Sequence, residues 1–279
     1  MYIPFLSTLR RTYVRHWPSY LAEAMGVALF MIASCGTAVL FHHPDSPVRQ
    51  FLGESKLLRR SVQALVIGVF LLVIIFNPAG KRSGSHINPA VTLSFRYLGK
   101  ISTADAFWYI TFQCGAAVLS GFVMYQLLKT WYPHPDVNYN LSAPKPGMGG
   151  WPIAFLAEFF ISTLLMLVTL TTLHSEKFRK KNGLFNIGLI MLYIIVEAPF
   201  SGMSTNPARS LGTAAGALNF IGYWLYVVAP ISAMFLTTAL FRRLWKPKAN
   251  QTEKAHKESG WFTTDAIPPN FPLVDPEKK

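Results

Sequence analysis

Residues 204–212 read Ser-Thr-Asn-Pro-Ala-Arg-Ser-Leu-Gly, and residues 83–93 read Ser-Gly-Ser-His-Ile-Asn-Pro-Ala-Val-Thr-Leu. Each stretch is a short polar turn that runs into Asn-Pro-Ala between long apolar runs. Asparagine is a preferred helix N-cap, and proline fits the first helical position because its missing N–H is one that a helix leaves unpaired. Asn88 and Asn206 are therefore predicted to cap two short helices. The other motif residues, at the starts of these helices, are Pro89, Ala90, Pro207 and Ala208.

The composition predicts that these turns lie in a membrane protein. Hydrophobic residues make up 51% of the 279 positions and charged residues 14%, whereas charged residues are roughly 25% of a soluble domain. The net charge of +13 does not indicate a nucleic-acid partner, because lysine and arginine lie between the apolar runs and near the chain ends. Membrane topology places basic residues there.

Six apolar runs are long enough to be predicted as transmembrane helices. They cover about 20–41, 61–76, 104–128, 151–173, 184–200 and 223–244, with the short helices at about 89–97 and 207–217. A third Asn-Pro-Ala, which begins at Asn77, is interpreted as a chance match that ends the second run. The flanking segments are predicted as a basic cytoplasmic stretch, 1–19, and a polar, disordered tail, 246–279. No metal site or cofactor is expected.

The basic residues predict the orientation. If both termini are cytoplasmic, the inner segments hold most of the lysine and arginine, as the positive-inside rule requires. Arg59 and Arg60, at an outer helix end, go against this bias. We therefore expect a multi-pass plasma-membrane protein with both termini in the cytoplasm.

The chain also repeats itself. Leu-Ala-Glu, ending at Glu23, opens the first predicted span, and the same triplet ends at Glu158 in the fourth. Each triplet begins a unit of two spans, an Asn-Pro-Ala turn and a third span, so that the repeats cover 20–128 and 151–245 of one domain, 20–245. Because three spans per unit is an odd number, the second unit must be inverted in the membrane. Inverted repeats build their working site near the midplane from half-helices.

Two inverted half-helices would bring their N-termini together. Each N-terminus carries about half a positive charge, and the Asn88 and Asn206 amides add N–H donors. Arg209 lies three residues past the second cap, and a lone arginine at membrane depth is by default functional. Non-helical backbone at that depth is tolerated beside a water-filled cavity. These features predict a pore for small neutral molecules that rejects cations and protons.

With both motifs, their repeat and this topology in place, the chain resembles the aquaporins, the major intrinsic protein family, over about residues 20–244. The resemblance implies an all-α membrane fold of six transmembrane helices and two re-entrant half-helices, with one pore per protomer in a homotetramer. It places Asn88 and Asn206 at the pore midpoint and His86 on the inner pore wall, although a structural role for His86 is equally consistent. Glu23 and Glu158 match buried glutamates that brace the loops. An outer filter would comprise Arg209, Ile194, Met203 and either Ile67 or Gly68, since the spacing is ambiguous by one.

Departures from the family pattern bear on the substrate. Strict water channels usually carry histidine at the position of Ile194, and glycerol facilitators usually carry aspartate at that of Ser210. The stretch from Asn206 to Gly212 is more similar to the nodulin-26-like branch and its bacterial relatives. We expect passage of water with small uncharged solutes such as glycerol, urea or metalloid acids.

Three other classes of membrane protein remain open. A secondary transporter is the main alternative, because it also uses inverted repeats, but it usually couples through membrane carboxylates. An intramembrane enzyme would need a nucleophile, metal ligands or paired acids at the midplane. A membrane interaction protein would need no polar midplane.

Overall fold

The structure is a computed structural model that describes residues 2–141 and 149–245. The predicted tail, 246–279, lies outside the described residues. Within them the chain is a bundle of α-helices and short turns. The helices are α1 Tyr2–His42, α2 Pro47–Leu52, α3 Lys56–Phe76, α4 Pro78–Ser83, α5 Pro89–Tyr97, α6 Thr103–Leu127, α7 Gly150–Leu173, α8 Asn182–Val196, α9 Ala198–Ser201, α10 Pro207–Ala217 and α11 Leu225–Leu244.

Five of these helices, α1, α3, α6, α7 and α11, are long and apolar enough to cross a membrane. The fifth predicted span, 184–200, is split into α8 and α9 at Glu197. Pro199 is the physical reason, because proline has no N–H to donate to the carbonyl four residues earlier, and this missing hydrogen bond interrupts the helix. At about 1.5 Å per residue, α8 alone is about 22 Å long.

Helix α1 starts well before the predicted first span and includes most of the segment 1–19, which is predicted as a flanking segment. Side-chain contacts with α6 hold this extension. The Nδ1 atom of His16 lies 2.8 Å from a carboxylate oxygen of Asp105, and the Trp108 indole donates to the Leu9 carbonyl at 3.1 Å. Neither contact was predictable from the sequence.

The third Asn-Pro-Ala is a helix boundary. Asn77 ends α3 and caps α4, with its side-chain oxygen accepting the Gly80 N–H at 2.9 Å and its amide donating to the Val73 carbonyl at 2.8 Å. The prediction that it ends the second span is confirmed, but the motif also starts a helix. The same capping chemistry that serves Asn88 and Asn206 operates here away from those two motifs.

The two halves of the bundle are related by an approximate two-fold symmetry in how their elements pack. Helix α1 packs on α6 in the first half, as α7 packs on α11 in the second, and α3 packs on α8 between the halves. The half-helices cross over, because α10 packs on α6 and α5 packs on α11 as well as on α6. This exchange brings the two caps to one place.

The α6–α10 contact depends on glycine. A Cβ atom on Gly121 would lie 1.9 Å from the Gly212 carbonyl oxygen, and one on Gly216 would lie 2.5 Å from the Gly121 carbonyl oxygen. Such distances leave no room for a side chain, so the backbones touch directly. The spacing of Gly212 and Gly216, four residues apart, therefore reflects close helix packing.

Candidate functional site

The site begins with the two caps. Asn88 and Asn206 both have extended backbones, with φ of −154° and −137°, and each is followed by proline in the first helical turn. The Asn88 side-chain oxygen accepts the Ala90 N–H at 2.9 Å, and that of Asn206 accepts the Ala208 N–H at 3.0 Å. Both predicted half-helices therefore start where the sequence places them.

The two asparagines meet through reciprocal hydrogen bonds. The Asn88 amide donates to the Thr205 carbonyl at 2.8 Å, and the Asn206 amide donates to the Ile87 carbonyl, also at 2.8 Å. Each cap is thus fixed by the loop that precedes the other, and the helix N-termini face one another. Because a side-chain amide has two N–H groups, one donor on each asparagine is left for another molecule.

The loops before the caps contain residues with positive φ, a backbone conformation that residues other than glycine rarely adopt. Ser85 and Ile87, three and one residues before Asn88, have φ of 46° and 40°. Met203 and Thr205, at the same offsets before Asn206, have φ of 50° and 54°. Such left-handed residues store strain, most of all when they are β-branched, and they persist where surrounding contacts over-determine them.

Two fully buried glutamates supply those contacts. Glu23 accepts the backbone N–H groups of His86, at 2.9 Å, and Ile87. Glu158 accepts those of Ser204, at 2.7 Å, and Thr205, at 2.8 Å. The two carboxylates hold matching positions of the two loops, where helix hydrogen bonds are unavailable.

Further polar groups around the glutamates are absent from the sequence predictions. The Gln113 amide donates to Glu23 at 2.7 Å, and the Ser201 hydroxyl donates to Glu158 at 2.7 Å. The signal for Ser201 is its offset, since Ser83 stands at the same distance before the other cap. Tyr109 donates to the Ser83 carbonyl at 2.7 Å, as Tyr226 does to that of Ser201.

His86 is held on three sides. Its Nδ1 atom lies 3.1 Å from the Thr92 hydroxyl, its ring stacks on Phe95 with centroids 4.9 Å apart, and Tyr109 lies 5.1 Å away. In the second half, the Ser204 and Ser210 hydroxyls make the equivalent contact at 2.6 Å. These contacts favour a role for His86 in anchoring the first loop.

Arg209 is buried, with 6% of its surface exposed, so it does not extend to an outer face. Its Nη2 atom donates to the Asn140 side-chain oxygen at 3.3 Å, and the Asn140 amide donates to the Ser34 hydroxyl at 2.8 Å. The Nη1 atom is buried and has no hydrogen-bond partner among the residues that the structure describes. A buried donor without a partner needs an explanation, and an ordered water or a bound solute oxygen would supply one.

The other predicted filter residues lie in two adjoining apolar clusters. Ile194 packs against the cluster that contains Met203 and also against the cluster that contains Ile67. Gly68 faces α8. The structure thus packs Ile194 against the clusters that contain Met203 and Ile67, and it joins Arg209 to Asn140 by a hydrogen bond. In the part of the chain that the structure covers, no three histidine, cysteine or acidic side chains form a metal-binding group.

The chain is similar to several proteins of known type. It is 30% identical to the probable aquaporin NIP7-1 of Arabidopsis thaliana over 230 residues, which cover 80% of this chain and 75% of that one. It is 27% identical to aquaporin A of Dictyostelium discoideum over 270 residues, covering 94% and 87%. It is 26% identical to aquaporin-1 of Bos taurus over 235 residues, covering 84% of each chain.

A solved structure and a family model also match this chain. The fold matches the X-ray structure of the aquaglyceroporin from Plasmodium falciparum with a TM-score of 0.64 and 20% identity, over 83% of this chain and 96% of that chain. The model of the family described as major intrinsic protein matches residues 10–240. A match of this length settles the family, and the chain is a member of the major intrinsic protein family.

Proposed function

We propose that this chain is a passive transmembrane channel for water and small uncharged solutes. The observation that carries the proposal is the pair of reciprocal hydrogen bonds by which Asn88 and Asn206 join the two half-helix N-termini. Relatives of this chain are named aquaporins, and a protein of the same fold is named an aquaglyceroporin. The family consists of channels and not of enzymes.

The geometry at the caps supports selection against charge. Each asparagine keeps one N–H after bonding the opposite loop, so a water molecule between them would accept two hydrogen bonds. Both half-helices would also direct about half a positive charge at that water. A water held as an acceptor from both sides is a poor relay for protons, and the positive field repels cations.

Arg209 is proposed to line the outer constriction together with Ile194, Met203 and either Ile67 or Gly68. Its Nη1 donor has no partner among the described residues, which suits it to bind a passing carbonyl or hydroxyl oxygen. The remaining positions carry no aromatic ring and no histidine, which makes the constriction wider and less polar than one that carries both. We therefore propose glycerol, urea and undissociated metalloid acids as solutes.

The topology and assembly of the channel are part of this proposal. The basic end of the bundle, with Lys81, Arg82 and the loop 177–181, would face the cytoplasm together with both termini, in a plasma membrane or a bacterial inner membrane. We propose a homotetramer with one pore in each protomer.

Stopped-flow light scattering of proteoliposomes that contain the full chain tests the function. Water, glycerol, urea and boric acid are compared in the wild type with Arg209→Val and Ile194→His. We expect wild-type permeability to water and to at least one solute, with Ile194→His lowering solute flux more than water flux. Permeability to water alone would contradict the wide constriction, and saturable flux that depends on an ion gradient would point to a secondary transporter.

A further inference from the structure

The backbone of Gly68 is covered by a side chain from α8. A Cβ atom on Gly68 would lie 2.6 Å from the sulfur of Met191 and 3.2 Å from its Cγ. Real Cβ atoms do not approach sulfur so closely, so the Met191 side chain occupies the space that any residue other than glycine would need. The position of the Met191 side chain on α8 therefore depends on the lack of a side chain at Gly68 on α3.

Met191 lies on the same side of α8 as Ile194, three residues further along. Both side chains are partly buried and pack on the cluster around Ile67. Leu192, the next residue along from Met191, points away from this cluster and is 50% exposed. Met191 thus shares the face of α8 that carries a proposed filter residue, whereas Leu192 belongs to the outward face.

We propose that Met191 is a further size-determining residue of the channel, one that fills the space left open by Gly68. This inference rests on the proposed function, since it assigns the residue to the same constriction. Methionine suits such a role because its unbranched thioether side chain adapts to irregular gaps and can move. The width at this level is then determined by the pair Gly68 and Met191 together.

The pairing predicts opposite effects for two substitutions. Met191→Ala removes the side chain and widens the constriction. Gly68→Ala adds a methyl group where the sulfur now lies, and because the sulfur is the flexible end of a side chain, Met191 must move. We expect that movement to narrow the passage. Combining the substitutions removes the conflict, so the effects will not add.

The experiment measures proteoliposome permeability to glycerol, erythritol and xylitol, each divided by water permeability in the same vesicles. Met191→Ala is expected to raise the erythritol ratio roughly three- to tenfold, and Gly68→Ala to lower the glycerol ratio by a similar factor. In the Met191→Ala background there is no sulfur for the added methyl group to displace, so the double variant should match Met191→Ala rather than fall midway between the single variants. Leu192→Ala is the matched control, and it should leave all ratios unchanged.

The outcomes separate this inference from the proposed function. If the wild type conducts neither water nor any of the solutes, the proposed function fails. If the wild type conducts glycerol but Met191→Ala and Gly68→Ala give the ratios of Leu192→Ala, the inference is overturned and the channel function stands. If Met191→Ala yields no folded protein, Gly68→Ala alone decides, with Met191→Leu as the variant expected to keep wild-type ratios because it conserves volume.

Discussion

The Arg209 side chain needs specific contacts to hold it in place. A charged side chain at membrane depth costs roughly 3 kcal/mol or more in free energy relative to water. The structure orients it through Asn140, which uses its oxygen for Arg209 and its amide for Ser34. Asn140 comes from a turn in which φ is 46° at Asn138, 54° at Tyr139 and 52° at Asn140. Three left-handed residues in succession are unusual, and they place the amide over the arginine.

Replacing Asn140 with glycine is expected to loosen Arg209 without backbone strain, since glycine accepts positive φ freely. The hydrogen bond from Nη2 to Asn140 is long, at 3.3 Å, and therefore weaker than a typical charge-assisted bond. Without it the arginine will sample more positions and discriminate less between water and glycerol. The glycerol-to-water permeability ratio in proteoliposomes should rise several-fold. Asn138→Gly, in the same turn, is the matched control. Equal ratios in the two variants would show that Asn140 does not position the arginine.

Helices α6 and α10 are held by direct backbone contact, which makes their glycines the least replaceable residues of the interface. Gly121→Ala would place a methyl group 1.9 Å from a carbonyl oxygen of α10, and backbone cannot move aside as a side chain can. Overpacking of this kind costs about 3 kcal/mol. We expect a large loss of thermal stability in detergent, or no folded protein.

Gly115, also on α6, is the control for this substitution, because a Cβ atom there would meet nothing within 4 Å. Gly115→Ala should leave the melting temperature unchanged or slightly raised, since alanine restricts the unfolded chain. A similar melting temperature for Gly121→Ala and Gly115→Ala would contradict the close packing of α6 on α10.

The end of α7 packs on the end of α11 through His174. Its ring lies 5.0 Å from that of Phe241 and 5.9 Å from that of Trp245, measured between centroids. Burial lowers the pKa of His174, the positive charge of Lys100 lowers it further, and a hydrogen bond to the Leu170 carbonyl opposes both effects in part. The fold therefore favours the neutral imidazole.

This direction predicts how stability changes with pH. A histidine whose folded pKa lies below its unfolded value binds fewer protons when folded, so its contribution is complete above the ordinary pKa of about 6.5 and is lost as the pH falls through the folded value. Between about pH 7.5 and about pH 5, the wild-type melting temperature should decrease more than that of His174→Gln. Parallel curves for the two proteins would show that His174 does not titrate on unfolding.

The element boundaries show how far local sequence signals reach. The half-helices were predictable because Asn-Pro at the cap is a local signal, and α5 and α10 cover the predicted residues. The start of α1 was not predictable, because its extension is held by a contact between His16 and Asp105, which are 89 positions apart in the sequence. The role of Asn140 was not predictable for the same reason, because its partner Arg209 is 69 positions away. Composition and capping residues predict the helices, whereas side-chain contacts between segments that are distant in the sequence become known only from the structure.

At the scale of the whole molecule, the approximate two-fold symmetry extends from helix packing to individual hydrogen bonds. Equivalent glutamates hold equivalent loop residues, and the two amides bond each other's loops. This arrangement explains why the repeat must be inverted, since parallel copies could not bring two helix N-termini together. It also implies that a substitution in either cap removes hydrogen bonds that position both halves of the bundle.

Asn88→Asp and Asn206→Asp test that implication. Aspartate keeps the oxygen that caps its own helix but loses the amide that donates to the opposite loop, and its negative charge offsets the positive field of the two N-termini. Both variants are expected to lower water permeability by similar factors and to admit protons, measured with a pH-sensitive dye trapped in proteoliposomes. Asn77→Asp carries the same change in the third Asn-Pro-Ala, where the cap serves α4, and should conduct like the wild type. If either cap variant still rejects protons at the wild-type level, the two helix N-termini and their amides are not what excludes charge.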